Sequence, residues 1–391
     1  MSQSEETVAN PMMQPLAGIK VIDMSRILAG PWAGQVLADL GATVLKIERP
    51  KVGDDTRHWG PPYLKDKEGN DTKDAAYFFS ANRGKQSLAI DITQPEGQAA
   101  IRELVASADV LIENYKLGGL AKYALDYETL KAVNPALVYC SITGFGQTGP
   151  YAHRAGYDFM IQAMGGLMSV TGDPDSAGGM PMKVGVAVTD IFTGLYSVIG
   201  IQAALHERHT TGLGKHIDMA LFDCSAAILA NQASNYLVGG VVPERMGNTH
   251  PNIVPYQVFK SADGHLIVAV GNDGQFANFC GVLNRPELAE HEDYRTNAAR
   301  VGHRDELCAL LQTLLLERTT AEWLDMLEAV NVPCGPINNV EQVFNDPQIL
   351  SRDMVQTVEH PVAGEIRVAG SPIKFVGEDK CQVGAPPVLG N

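Results

Sequence analysis

Asp190 stands at the head of the apolar run Ile191-Phe192-Thr193-Gly194-Leu195. By residue type it is one of 45 acids, in the position of an ordinary N-cap or first-turn acid. Asp158, in Gly156-Tyr157-Asp158, is a second carboxylate of that kind. Gly144-Phe145-Gly146-Gln147-Thr148-Gly149 fits the G-x-G-x-x-G spacing of a pyrophosphate cradle and follows a strand. Pro150 and His153-Arg154-Ala155-Gly156 open no helix behind it, which counts against a dinucleotide site. His206-Glu207-Arg208-His209 is not H-E-x-x-H; it reads as cations decorating a helix end. The six cysteines, at 140, 224, 280, 308, 334 and 381, form no C-x-x-C pair, so neither a disulfide frame nor a zinc site is indicated. Scattered thiols suit a reducing cytosol.

The elements that must position these residues begin at 26–50, RILAGPWAGQVLADLGATVLKIERP. A short strand over 19–24 leads into an irregular turn. Pro31 then sits in the first turn of a helix, where its missing N–H is not needed. Trp32, Val36, Leu37 and Leu40 keep helical spacing, and Gly41 supplies a left-handed stop. A β-rich run over 43–47 follows, which makes one βαβ unit with parallel strands. It is Rossmann-like but lacks the glycine-rich turn after its first strand. Strands over 86–92, 110–113 and 137–141, with helices near 95–108 and 127–133, extend the pattern into a parallel α/β sheet. A long helix over 190–206, a strand over 216–221 and an Ala-rich helix reaching 236 come next. The texture then changes. Strands over 256–260 and 265–271 flank Ser261-Ala262-Asp263-Gly264, a hairpin signal. Helices near 273–283, 304–317 and 320–330 follow, the last opened by the capping box Thr319-Thr320-Ala321-Glu322. This is a second, smaller α+β domain closed by Gly335-Pro336, and a further strand is expected over 365–368.

Composition bounds the partners. At 391 residues, 45% hydrophobic and 19% charged, the chain reads as an ordinary two-domain globule. A net charge of −15 argues against nucleic acid and anionic membrane, and requires a locally basic pocket for any polyanionic ligand. No run approaches the ~18 apolar residues of a membrane span, and no leader pattern opens the chain. These features point to the cytoplasm. Residues 1–14, polar then Met-rich, read as a mobile tail.

Seven blocks in order down the chain resemble the class III CoA-transferases, the family of formyl-CoA transferase and carnitine CoA-transferase. They are residues 26–50, NRGKQSLAID at 82–91, DVLIENY at 109–115, SITGFGQTGP at 141–150, RAGYDFMIQAMGG at 154–166, GVAVTDIFTGLYS at 185–197 and GPINN at 335–339. Within the family the likeness is to the succinyl-CoA:dicarboxylate branch, typified by succinyl-CoA:glutarate CoA-transferase. The resemblance implies a Rossmann-like CoA-binding domain over 15–222, a linker helix and small domain over 223–334, and a segment over 335–391 that returns to the large domain. It also implies a homodimer whose two chains interlock.

The same resemblance places the nucleophile at Asp190. A carboxylate with a reference pKa near ~3.9 is almost wholly ionised at neutral pH and needs no general base. It can attack a thioester to give a mixed anhydride, which CoA thiolate converts to an aspartyl-CoA thioester. For CoA, the match implies Ile27 and Ala29 beside the adenine or pantetheine, Asn114 and Tyr115 along the groove, and Arg49 and Lys122 near the phosphates, where cations suit physically. By charge, Arg26, Arg154 and Arg245 are candidates for the distal carboxylate of a dicarboxylic acid. Gly247-Asn248-Thr249-His250-Pro251 aligns with a mobile glycine-rich loop over the active site, with one glycine where formyl-CoA transferase has several. Asp158 reads as a structural neighbour of the nucleophile. No metal or permanent cofactor is expected; the partners are an acyl-CoA and a small dicarboxylic acid. Two alternatives stay open: an acyl-CoA racemase, and a non-catalytic CoA-binding protein. Racemase relatives carry a histidine where this chain has Tyr157, and a phenol with a reference pKa near ~10 is a poor base at neutral pH. The acceptor stays open among glutarate, hydroxymethylglutarate, itaconate, mesaconate, malate and oxalate.

Overall fold

A computed structural model describes residues 14–378 and 381–390. The tail expected over 1–14 lies outside them, except for Gln14. The chain divides into two compact units. The first comprises 1–167, 184–233 and 347–391, and the second 168–183 and 234–346.

The first unit is built on strands β1 (Lys20–Asp23), β2 (Thr43–Glu48), β3 (Gln86–Ala89), β4 (Val110–Glu113), β5 (Val138–Thr143) and β6 (His216–Ala220). They form one sheet in the order β3-β2-β1-β4-β5-β6, and every pairing is parallel. Helices α1 (Ala29–Asp39), α2 (Pro95–Val105), α3 (Tyr127–Val133), α4 (Asp158–Met164), α5 (Val188–Thr211) and α6 (Leu221–Ala227) intervene. Alternation along each strand feeds two cores. Val21, Val110 and Ile112 pack with Leu37 of α1 and Ile201 of α5. Ile22 and Leu111 pack with Ile101 of α2 and Leu130 of α3 on the other face. Each such aliphatic side chain contributes roughly 1.5–3 kcal/mol on leaving water. Gly41, at φ 101°, ends α1 as its position requires.

Helix α5 runs 24 residues, holds an 18-residue window of mean hydropathy 1.4, and meets the length and composition test for a membrane span. The expectation that no run comes near that test was too strict. The polar Thr189, Thr193 and Ser197 are buried along with Val198, Ile201 and Leu205, which marks a core helix.

The second unit holds β7 (Tyr256–Lys260) and β8 (His265–Ala269), paired as the expected antiparallel hairpin. Helices α7 (Asp273–Val282), α8 (Arg304–Leu315) and α9 (Thr320–Glu328) pack on it through Phe276, Phe279, Leu311 and Trp323. The Thr319–Glu322 capping box is present.

The divisions of the chain fall elsewhere than 222 and 334. β9 (Cys334–Pro336) hydrogen-bonds to β8, so Gly335-Pro336 is a strand of the second unit and the division falls at 346. Residues 168–183 also belong there, through the Gly247 N–H on the Gly172 carbonyl and the Arg245–Asp175 ion pair. The Ala-rich segment is two helices, α6 and Ala230–Leu237, broken at Ala230, whose φ is 47°. From 347 the chain forms β10 (Val355–His360) and β11 (Gly364–Ala369) in the first unit and ends against β3, where the Gly390 N–H donates to Ser87 Oγ at 3.0 Å.

Candidate active site

The strand order 3-2-1-4-5-6 reverses direction between β1 and β4, and ligands of open α/β sheets bind outside the carboxyl ends at such a point. A cavity of about 530 Å³ lies there. Its walls come from the segments after β1 (Arg26, Ile27, Ala29), after β2 (Arg49), after β4 (Asn114, Tyr115, Lys122) and before α4 (Arg154, Tyr157), together with Asp190. Every site residue expected from the first unit therefore meets in one cavity. Gly144 also lines it, but no helix starts until Asp158, and no phosphate-binding helix end stands behind the G-x-G-x-x-G run.

Asp190 lies in the first turn of α5. Among the described residues no side chain donates to its carboxylate. Burial, with the Asp158 carboxylate second, pushes it up to about 7. The expectation of near-complete ionisation at neutral pH fails for this reason: water has been removed without a cation to replace it. Asp158 is committed elsewhere. One oxygen accepts from the Thr189 N–H at 2.9 Å and from the Thr189 hydroxyl; the other accepts from Gln162 Nε2 at 2.7 Å. It thus anchors the start of α5 and with it Asp190. Tyr77 was not singled out in the sequence. Burial, then the carboxylates of Asp190, Asp158 and Asp54, hold its phenol above the usual range and leave it a proton donor.

The turn after β1 is strained. Ile27, a β-branched residue, has φ 73°, a conformation costing on the order of 1–3 kcal/mol. The Asn114 amide accepts from the Arg26 N–H at 2.9 Å and donates to the Arg26 carbonyl at 2.7 Å, so its polar atoms are taken up by the protein's own backbone. The Ile27 N–H points at both oxygens of Asp54, at 3.3 Å each. Asp54 pairs with Lys46 at 2.9 Å, and both side chains are wholly buried. Burial would raise Asp54, but the Lys46 ammonium and the bonds from Thr56 outweigh it and hold the carboxyl below its usual range. Two signals for this pair were present: a lysine inside the apolar strand Val44-Leu45-Lys46-Ile47, and the Gly53-Asp54 turn.

The cations differ in their commitments. Arg26 pairs with Asp55 at 2.9 Å. Arg49, Lys122 and Arg154 have no acidic partner within 4 Å among the described residues. Arg154 lies over the rings of Tyr151 and Phe145, at 4.7 and 5.1 Å. In the second unit, Arg245 is held by Asp175 and the Asp173 carbonyl. There Gly247 and Asn248 form a turn, with Gly247 at φ 61°. His250 donates its N–H to the Tyr256 carbonyl and accepts from the Asn252 N–H on Nδ1. Burial and Arg304 lower its pKa, so the ring is neutral at pH 7. Among the described residues no group of three or more His, Cys, Asp or Glu side chains is placed to hold a metal ion.

The model of CoA-transferase family III matches residues 16–391. The chain belongs to this family and is an enzyme that catalyses CoA transfer. The succinate–glutarate CoA-transferase of Agrobacterium fabrum is 55% identical over 340 residues, covering 87% of this chain and 84% of that one. The human succinyl-CoA:glutarate CoA-transferase is 44% identical over 378 residues, 97% of this chain and 84% of its own. The crystal structure of a CaiB/BaiF family protein from Brucella suis superposes with a TM-score of 0.84 at 54% identity, covering 96% of this chain and 97% of that one.

Proposed function

We propose that this enzyme moves CoA from succinyl-CoA to a small dicarboxylic acid, with Asp190 as the covalent carrier. Ionised Asp190 attacks the thioester carbonyl and expels CoA thiolate, leaving a mixed anhydride. The thiolate attacks the aspartyl carbonyl and releases succinate, so CoA rests on Asp190 as a thioester. The acceptor carboxylate then reverses both steps, and the aspartate is regenerated. One acyl-carboxylate exchange replaces another, so no nucleotide is consumed. The carrying observation is a carboxylate that, among the described residues, receives no side-chain donor, in one cavity with Arg49 and Lys122, which among those residues have no acidic partner within 4 Å and suit the CoA phosphates. Tyr157, 64% exposed at the cavity wall, supports transfer over racemisation because a phenol stands where racemase relatives carry a histidine. For the distal carboxylate we assign Arg154, since Arg26 and Arg245 already hold acids.

Incubation with succinyl-CoA and no acceptor should load Asp190. Hydroxylamine trapping and peptide mapping should find the label on the peptide containing Thr189-Asp190-Ile191, and added glutarate should discharge it. An unlabelled peptide during demonstrated turnover overturns the covalent route. Phe192, Leu195, Tyr196 and Ile199 form an exposed apolar face on α5, which supports a homodimer. Sedimentation at micromolar concentration should give twice the 42.0 kDa chain mass. Six free thiols, three of them buried, support a reducing compartment such as the cytoplasm.

A further inference from the structure

The turn between β1 and α1 forms one wall of the cavity, yet its shape is not one its own residues prefer. Ile27 carries a branched Cβ at φ 73°, where such side chains crowd the backbone. The Asn114 amide brackets the Arg26 backbone from one side, and Asp54 receives the Ile27 N–H from the other. Asp54 is itself fixed by four groups: the Lys46 ammonium at 2.9 Å, the Thr56 N–H at 2.9 Å, the Thr56 hydroxyl at 2.8 Å, and its own N–H on Glu48 Oε2 at 2.9 Å. Lys46 also donates to the Ser25 carbonyl at 3.0 Å, tying the ion pair to the residue before the turn.

The turn leads straight into α1, and the start of α1 meets α5 close to the nucleophile. A Cβ on Gly194 would stand 2.7 Å from the Ala29 carbonyl oxygen, and Gly194 is one helical turn beyond Asp190. A change in the Ile27 backbone therefore reaches the cavity wall formed by Ile27, Leu28 and Ala29, and through Ala29 the helix that carries Asp190.

We propose that Asp54 is a positioning residue for CoA transfer: its buried carboxylate, fixed by Lys46, holds Ile27 in the left-handed conformation and so sets the Arg26–Ala29 wall of the cavity beside α5. Its carboxylate oxygens are taken up by Lys46, Thr56 and the Ile27 N–H, so it acts through the turn. The proposal rests on transfer at this cavity, and a wild-type control separates the two claims.

The test is a cycle of Asp54→Asn, Ile27→Gly and the double variant, assayed as CoA transfer from succinyl-CoA to glutarate. Asp54→Asn keeps the shape but loses the charge, and kcat should fall at least tenfold. Glycine adopts positive φ without strain. The double variant should then regain at least threefold over Asp54→Asn, although Ile27→Gly alone loses side-chain contact with substrate. A merely structural Asp54 predicts no such rescue; losses that multiply, or an Asp54→Asn enzyme with wild-type kcat, overturn the proposal. Should Asp54→Asn not fold, Thr56→Val removes one bond to the same carboxylate. It should lower kcat about threefold, again rescued by Ile27→Gly, and the absence of that rescue is equally fatal. A wild-type enzyme inactive with these substrates refutes the substrate assignment instead.

Discussion

Replacing Asp190 by asparagine should stabilise the protein while destroying turnover, and the gain should depend on pH. In the folded chain burial and Asp158 push the carboxyl up to about 7, against an ordinary value of 3.8. A carboxyl whose folded value lies above its unfolded one costs nothing below pH 3.8, costs progressively more between 3.8 and 7, and carries its full cost above 7. The interval from 3.8 to about 7 corresponds to about 4 kcal/mol at roughly 1.4 kcal/mol per pH unit. The dipole at the start of α5 favours the anion by about 0.3–1 kcal/mol, which leaves about 3 kcal/mol. At roughly 2–4 °C per kcal/mol, the variant should melt roughly 6–12 °C above wild type at pH 8 and close to it at pH 4.5. Thermal melts of the two proteins across that range, by circular dichroism and by calorimetry, measure the difference directly. Asparagine cannot form an anhydride, so turnover should fall below about a hundredth of wild type. Two melting curves separated by a constant interval at all pH values would refute the reasoning, because the carboxylate would then be ionised at no cost. An inactive variant with unchanged stability would keep Asp190 as nucleophile but remove the claim that it is held against its preference.

Transfer itself should follow the same titration: kcat/KM for succinyl-CoA should fall about tenfold per unit below pH 7, and a profile flat down to pH 5 contradicts the raised value. Arg49→Ala should raise KM for the acyl-CoA more than it lowers kcat, as phosphate contacts serve ground and transition states alike; a kcat loss at constant KM would misplace this residue. Arg154→Gln should cut kcat/KM for glutarate at least tenfold while leaving a monocarboxylate of equal length within about threefold, and equal losses on both would show a structural role. Gly194→Ala places a methyl 2.7 Å from the Ala29 carbonyl and 3.1 Å from the Trp32 side chain, so it should cost about 1–3 kcal/mol in urea unfolding; an unchanged midpoint would mean α1 and α5 separate freely.

Much of the fold was legible in the chain because its signals are local. The βαβ unit over 19–47, the strands at 110–113 and 138–143, and the capping box at Thr319 depend on near neighbours in sequence. The sheet order was not legible, since nothing in β3 says that it pairs with β2 rather than with β4. The boundary at 334 was misread because Gly335-Pro336 reads as a terminator, while β9 is made a strand by β8, some seventy residues earlier. The residues expected in the cavity were legible through motif order, but their commitments were not. Asn114 looked like a groove residue, and its amide is consumed by the Arg26 backbone. Asp190 looked like a normal acid, because a sequence carries no record of desolvation. Asp54 and Lys46 were passed over: each looks like a surface charge until the fold brings them together at 2.9 Å with no exposure.

The order in which the chain supplies the first unit constrains how it can be made. On the ribosome, β1 through α5 emerge first, then most of the second unit, and only then the segment from 347 onward. That last segment is not trim. Its Pro387 carbonyl accepts from the buried Arg57 guanidinium, the Gly84 N–H donates to Gly384 and Ala385, and Gly390 caps Ser87. While synthesis is under way, the edge strand β3 and the Arg57–Glu48 pair wait without these partners, exposed to whatever else in the cell offers a strand or a carbonyl. The second unit, drawn largely from one contiguous stretch, has no such wait. A nascent chain stalled near residue 346 would thus carry one finished unit and one open one, the kind of partial product that chaperones retain and proteases remove.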